Sequence, residues 1–337
     1  MLSTISCGNS YLMIDSNQQV WCKGQNSQGQ LGVSDCSVDV PKIIDLVNIV
    51  SVSAGTYYSL FLDGSGFVWS CGKNNFGQLG LGHSWTIVTP QKIPNLPSIH
   101  SISASLKEHS LFLDCDGAVW CCGLNRNYQL GKIDGKDRYI PKKLEDLPRM
   151  IDIAAGYFHS IFLDEEGNVW MSGSFRYRAP TKLTVPKVIK AIAAANGSLL
   201  LDVDDVVWRL NKGGYDLVEI NDLPPIREIS EGMNCLIFLD YEGTVWNCVS
   251  QKAGMFDDPP QYRSYKIDSL QNIRIKEICA GDEVSMYLDI EGCVWATMNH
   301  SKLPERISGI PSIGNKLIHV KSARNNCSQE SGSIFDG

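Results

Sequence analysis

Seven aspartates stand six residues ahead of seven tryptophans, and a carboxylate at a fixed distance from an aromatic ring is this chain's first candidate for chemistry. The pairs are Asp15 with Trp21, Asp63 with Trp69, Asp114 with Trp120, Asp164 with Trp170, Asp202 with Trp208, Asp240 with Trp246 and Asp289 with Trp295. A single Asp of this kind could act as a general base, and a single Trp as a platform for a flat ligand. Seven copies argue for a structural duty instead. An Asp before a Gly-containing turn accepts backbone N–H bonds. A recurrent Trp supplies packing area and needs one polar partner for its indole N–H, so the tryptophans read as core.

The other reactive side chains give no stronger signal. His109 and His159 occupy a slot filled in other copies by Tyr11, Tyr58, Cys235 and Val284, which reads as local and structural. Of twelve cysteines, Cys71, Cys122 and Cys248 follow a repeat Trp by two residues, where other copies carry Lys23, Ser172, Leu210 and Thr297. Interchange with small or apolar residues is what packing inside one repeated strand looks like, since a free Cys behaves as a small hydrophobe. No CxxC pair marks a zinc or redox site. No Gly-x-Ser-x-Gly elbow, Walker loop or His-Glu-x-x-His run is present. No catalytic residue, cofactor or metal is therefore expected.

The elements that must hold these residues follow from their period. Successive repeat tryptophans are 48, 51, 50, 38, 38 and 49 residues apart, the spacing of a repeat architecture. The second copy shows the plan: Ile49 to Gly55, Tyr58 to Asp63 and Phe67 to Gly72 are short β-prone runs, the last two joined by an Asp-Gly turn. No helical period is long enough for a crossover helix. Seven hairpins, with an eighth first-strand run at residues 317–323 that can complete the blade begun at the other end, make a closed ring of seven units. Closure removes exposed sheet edges. The two 38-residue units are expected to be thin blades with trimmed outer connections. The ring is expected to span residues 1–325, followed by a short polar tail at 326–337.

Composition narrows the partner. With 43% apolar residues and a formal charge of −7, the chain has material for a core but not the unopposed basic surface that nucleic acid or anionic lipid requires. The densest basic run, Arg176, Arg178, Lys182, Lys187 and Lys190, reads as a solvated loop. No run approaches a membrane span, and the cysteine pattern points to the cytoplasm, with the nucleus also open.

The copies Gly29-Gln-Leu-Gly32, Gly77-Gln-Leu-Gly80 and Tyr128-Gln-Leu-Gly131, with Ala-Gly-x-x-His-Ser at 155–160, resemble the regulator of chromosome condensation (RCC1) repeat family. The resemblance implies an all-β, seven-bladed β-propeller of four-stranded blades. It also implies an activity without covalent chemistry: exchange of guanine nucleotide on the small GTPase Ran, with acidic and histidine side chains around the central channel and an inserted β-wedge. Here the slot before the His position holds Ser10, Tyr57, Glu108, Phe158, Asn234 and Glu283, of which two are acidic. Gly173-Ser-Phe-Arg176 resembles the lead into the wedge but runs straight through Tyr177 to Pro186, too short to hold it. Other relatives are docking platforms, and one plant relative senses light through Gly-Trp-Arg-His-Thr copies that this chain lacks. The reading is a monomeric, non-enzymatic protein-binding propeller; a guanine nucleotide exchange factor for a Ran-like or other small GTPase is the alternative. The expected partner surface comprises Tyr57, Lys107, Glu108, Phe158, Met233, Asn234 and Glu283, with the off-register Trp85 as an added aromatic anchor.

Overall fold

The computed structural model describes residues 5–8, 10–186, 189–194, 197–210, 217–232, 235–251, 261–281, 284–298 and 303–310. These form seven antiparallel sheets of four strands, each built from one contiguous stretch: 5–44, 49–92, 99–143, 150–182, 189–219, 226–266 and 275–306. We number the blades in that order and their strands from first (innermost) to fourth (outermost). Each first strand touches the first strand of the next blade, and Ile275–Ala280 of blade seven meets Ile5–Cys7 of blade one, closing the ring. The run at 317–323 lies outside the described residues.

The Asp-to-Trp hairpins are the middle pair of every sheet. In blade two, Tyr58–Asp63 pairs with Val68–Gly72, with Phe61 opposite Trp69. The second strand is buried on both faces because it lies between two neighbours. Leu60 and Leu62 point into the seam with blade three, while Phe61 points into the seam with blade one. One strand thus serves two cores, which is why its sequence is a continuous apolar run and not an alternation. The hydrophobic core is accordingly a set of interblade seams, seven in all among the described residues.

The Gly-Gln-Leu-Gly loops bind neighbours at the rim. Asn74 Oδ1 accepts the Leu79 N–H at 3.0 Å, and the Gln78 carbonyl accepts the Ser110 hydroxyl of blade three at 2.7 Å. Gly80 has a φ of 71°, and a Cβ there would stand 3.0 Å from Pro141 on the fourth strand of blade three. A proline fits on that strand because it is an edge. Blades four and five lack this loop and are trimmed as expected: Val169–Gly173 and Tyr177–Lys182 are joined by three residues, and the fourth strand of blade five is Leu217–Glu219.

One expectation holds in part. The seven repeat tryptophans pack against the seam cores as expected, but each is half-buried at the seam margin and not fully enclosed. Each lies beside the turn that its repeat Asp opens, a turn that holds Gly in five blades and Gln18 or Asp205 in the other two. Among the described residues the largest fully buried aromatic side chains are Phe61, Phe112, Phe162, Phe238 and Tyr58, all on second strands.

Candidate functional site

Two kinds of loop share one face of the ring: those joining first to second strands, and those joining third to fourth. Their backbones are tied together in the same way in successive blades. Lys73, Leu124 and Ser174, each following a third-strand glycine, donate N–H bonds to the carbonyls of Tyr57, Glu108 and Phe158 at 2.9, 2.7 and 2.8 Å. Gly123 adopts a φ of 104°, and a Cβ on it would fall 2.3 Å from the Glu108 carbonyl oxygen. The scaffold therefore fixes where Tyr57, Glu108 and Phe158 stand and leaves their side chains to vary.

Those side chains meet across blades two, three and four. Lys73 Nζ lies 2.6 Å from Glu108 Oε1, with the two side chains 24% and 16% exposed, and sits 5.7 Å from the Tyr57 ring centre. Lys107 Nζ stands 4.6 Å from the Tyr157 ring and 5.5 Å from the Phe158 ring, which are edge to face at 4.9 Å. Further out, Arg126 lies over Phe76 at 5.4 Å and Arg178 over Tyr128 at 5.0 Å. The patch thus offers aromatic edges held by cations, with one carboxylate already paired. Tyr57 and the two arginines are exposed and the other side chains of the patch are half-buried, so part of their desolvation is already met in the free protein, which suits a protein contact.

The structure brings Tyr57, Lys107, Glu108 and Phe158 into this patch. Trp85 lies on the same face in the outer loop of blade two, 72% exposed and stacked on His83 at 4.9 Å. Met233, Asn234 and Glu283 lie outside the described residues. Lys73 and Tyr157 were missed from sequence, because Lys73 reaches Glu108 across 35 positions and Tyr157 precedes the slot that drew attention.

The buried histidines below this face are structural. Fully buried His109 places Nε2 3.0 Å from Ser160 Oγ, and His159 places Nε2 2.8 Å from Ser198 Oγ, so each ties its blade to the next. Ser160 commits its proton to the Gln129 carbonyl at 2.8 Å, so His109 donates from Nε2. Burial pushes the His109 imidazole down to about 3, helped by His159, and His159 down to about 4. Tyr58 fills the same slot in blade two and binds the His109 carbonyl, the Ser105 N–H and Ser110 Oγ.

Among the described residues no three His, Cys, Asp or Glu side chains are placed to hold a metal ion. A depression of 230 Å³ at blade four, lined by Arg149, Asp164, Trp170 and Lys182, is smaller than the roughly 300–1,000 Å³ of ligand pockets.

Comparison with known proteins bears on the scaffold. The family described as regulator of chromosome condensation (RCC1) repeat matches residues 17–62, 65–113 and 116–163, and a second form of the same repeat matches 49–78, 99–129 and 150–178. The chain is 32% identical over 177 residues to the ultraviolet-B receptor UVR8 of Arabidopsis thaliana, covering 50% of this chain and 40% of that protein. It therefore spans less than half of that relative's length. Human WBSCR16 has a similar structure, with a TM-score of 0.73 at 17% identity over 87% of this chain and 96% of that one. Prp20p of Saccharomyces cerevisiae gives a TM-score of 0.72 at 22% identity, over 92% and 91% of the two chains. At these identities the two structures speak to the fold.

Proposed function

Because the chain belongs to the RCC1-repeat family and folds as its seven-bladed propeller, we propose that it is a regulatory protein-binding module that docks its partner on the loop face of blades two to four. The observation carrying this reading is the cross-blade patch in which Tyr57, Lys73 and Glu108 adjoin Lys107, Tyr157 and Phe158. Repeated backbone ties hold it rigid, so little ordering entropy is lost on binding. Its mixed charge and aromatic edges fit a folded protein better than a polyanion, in line with the formal charge of −7. An intracellular setting, cytoplasm or nucleus, suits the reduced cysteines.

The partner class to test first is a small GTPase. The solved Prp20p structure is described together with that protein's binding to Gsp1p and histones, which favours a second reading, nucleotide exchange. Exchange needs no covalent step; it needs tighter binding to the nucleotide-free GTPase than to the loaded form. The three-residue turn at Ser174–Arg176 leaves no insertion between the third and fourth strands of blade four, so any exchange at this face would act without a wedge there.

The test is nucleotide release from a panel of purified small GTPases, with binding measured in parallel. Accelerated release that is lost in the Glu108→Ala/Glu283→Ala variant establishes exchange. Binding without release, weakened by Phe158→Ala and by Lys107→Glu, establishes docking alone. Binding that neither variant touches removes this face from the proposal.

A further inference from the structure

The innermost strands carry a second set of contacts, a serine clasp at four of the seven seams; blades four and five carry Ala154 and Ala193 in the serine slot, and the seam that closes the ring carries sulfur. Ser6 Oγ accepts the Ala54 N–H of the next blade at 2.8 Å. Ser53 accepts from Ala104, Ser103 from Ala155 and Ser230 from Ala280, each at 2.9 Å. The clasp pairs a Ser slot on one blade with an Ala slot on the next. At the seam that closes the ring both slots are cysteine. Cys279 takes the Ser slot of blade seven, Cys7 takes the Ala slot of blade one, and the Cys7 N–H donates to Cys279 Sγ at 3.3 Å. Their sulfurs stand 3.2 Å apart, although the residues are 272 positions apart in sequence.

Sulfurs in van der Waals contact on the two ends of a ring need only about 1 Å of approach to reach the roughly 2.05 Å of a disulfide. Cys279 is partly exposed on the wall of the central channel, like Ser53, Ser103 and Ser230, whereas Cys7 is 3% exposed and held by the carbonyls of Cys279 and Val284. A small oxidant reaches Cys279 first and finds Cys7 behind it.

We propose that Cys7 and Cys279 are a reversible disulfide site, oxidised by a peroxide, that staples blade seven to blade one. The Cys279 thiolate attacks the peroxide: an S–O bond forms, the O–O bond breaks, and the departing hydroxide takes the thiol proton as water. Cys7 Sγ then attacks Cys279 Sγ: the S–S bond forms, the S–O bond breaks, and the second hydroxide leaves as water with the proton of Cys7. Two thiols supply two electrons and the peroxide receives them. Burial holds the Cys7 thiol well above the usual range, which fits its role as the second, resolving thiol, fast only once its partner sulfur is electrophilic and adjacent. Linking residues 272 positions apart closes most of the chain into one loop, and a longer loop restricts the unfolded chain more.

The experiment treats the purified full chain with hydrogen peroxide, maps linked peptides by mass spectrometry and follows thermal unfolding. The expected result is a Cys7–Cys279 peptide that dithiothreitol removes, with the unfolding midpoint raised by roughly 5–10 °C in the linked form. Cys279→Ser and Cys7→Ala restore the residues other blades carry in these slots, so both variants should fold; neither should gain the shift. Oxidation of Cys279 to sulfinic acid without a link, a link from Cys279 to Cys235 of blade six, or a Cys7–Cys279 link that leaves the midpoint unmoved would each overturn the proposal.

Discussion

Each repeat Asp satisfies at least three donors with two oxygens. In blade three, Asp114 Oδ1 accepts the N–H groups of Asp116 and Ala118 at 3.0 and 2.8 Å, and Oδ2 accepts the Trp120 indole N–H at 2.9 Å. The indole bond recurs in all seven blades, between 2.8 Å at Trp208 and 3.2 Å at Trp69. Asp114→Asn would retain one acceptor but set an amide N–H against the indole N–H. A loss of about 1–3 kcal/mol is expected by urea denaturation, whereas Asp116→Asn should be near neutral; equal losses would remove the clasp from the account. The two buried histidines make a second prediction. Their folded values lie near 3 and 4, below the roughly 6.5 of an unfolded imidazole. The unfolded chain therefore takes up protons first as pH falls. The stability they contribute is whole above about pH 6.5 and is lost toward pH 4, at up to about 1.4 kcal/mol per pH unit for each. Glu228, pushed up to about 8 by burial and by Glu277, works in the opposite direction between its unfolded and folded values. The difference between wild type and a His109→Gln/His159→Gln variant isolates the histidine part: the variant's melting temperature should fall less steeply from pH 7 to pH 5. Parallel curves would refute the assignment.

At the scale of the strand, the division between readable and unreadable features follows distance along the chain. The Asp-to-Trp spacing is a bond within one hairpin, so its period reports the geometry directly, and seven hairpins are recovered as the middle strands of seven sheets. The trimmed fourth and fifth blades were legible for the same reason, since a missing Gly-Gln-Leu-Gly loop is a local deletion. The depth of the tryptophans was not. It depends on where the third strand ends relative to the neighbouring blade, while the apolar phenylalanines opposite them carry no motif to attract notice. Contacts across blades, such as Lys73 with Glu108, His109 with Ser160 and Cys7 with Cys279, were invisible because packing alone brings them together. Three alanine substitutions test that depth. Phe112, fully buried opposite Trp120, should cost about 3–5 kcal/mol. Trp120, half-buried, should cost about 2 kcal/mol, since only part of its area is withdrawn from water. Trp85, exposed and stacked only on His83, should stay within about 0.5 kcal/mol. A Trp120 loss equal to that of Phe112 would mean that the tryptophans are fully enclosed.

A ring of blades differs from an open array because no unit has a free neighbour. Open repeats gain stability from nearest-neighbour seams and can fray from either end. Here each second strand contributes to two seams, so opening one blade breaks both and exposes the flanking blades. Native thiols report on this without any added probe. Cys71 lies in the seam of blades one and two, Cys122 in that of two and three, and Cys248 in that of five and six. All three are buried, and burial lifts each thiol above its usual range, so none reacts until its seam opens. Cys36, on the surface, supplies the unprotected reference. In low denaturant, with labelling slower than reclosing, the rate at each site reads the free energy of the opening that exposes it. If the ring opens as one unit, the three sites should give the same opening free energy and the same denaturant dependence, both matching global unfolding. The trimmed loops of blades four and five identify the place where this could fail. Cys248 labelling well ahead of Cys71 and Cys122, with a shallower denaturant slope, would mean that the second half of the ring opens alone and that closure does not make the propeller cooperative.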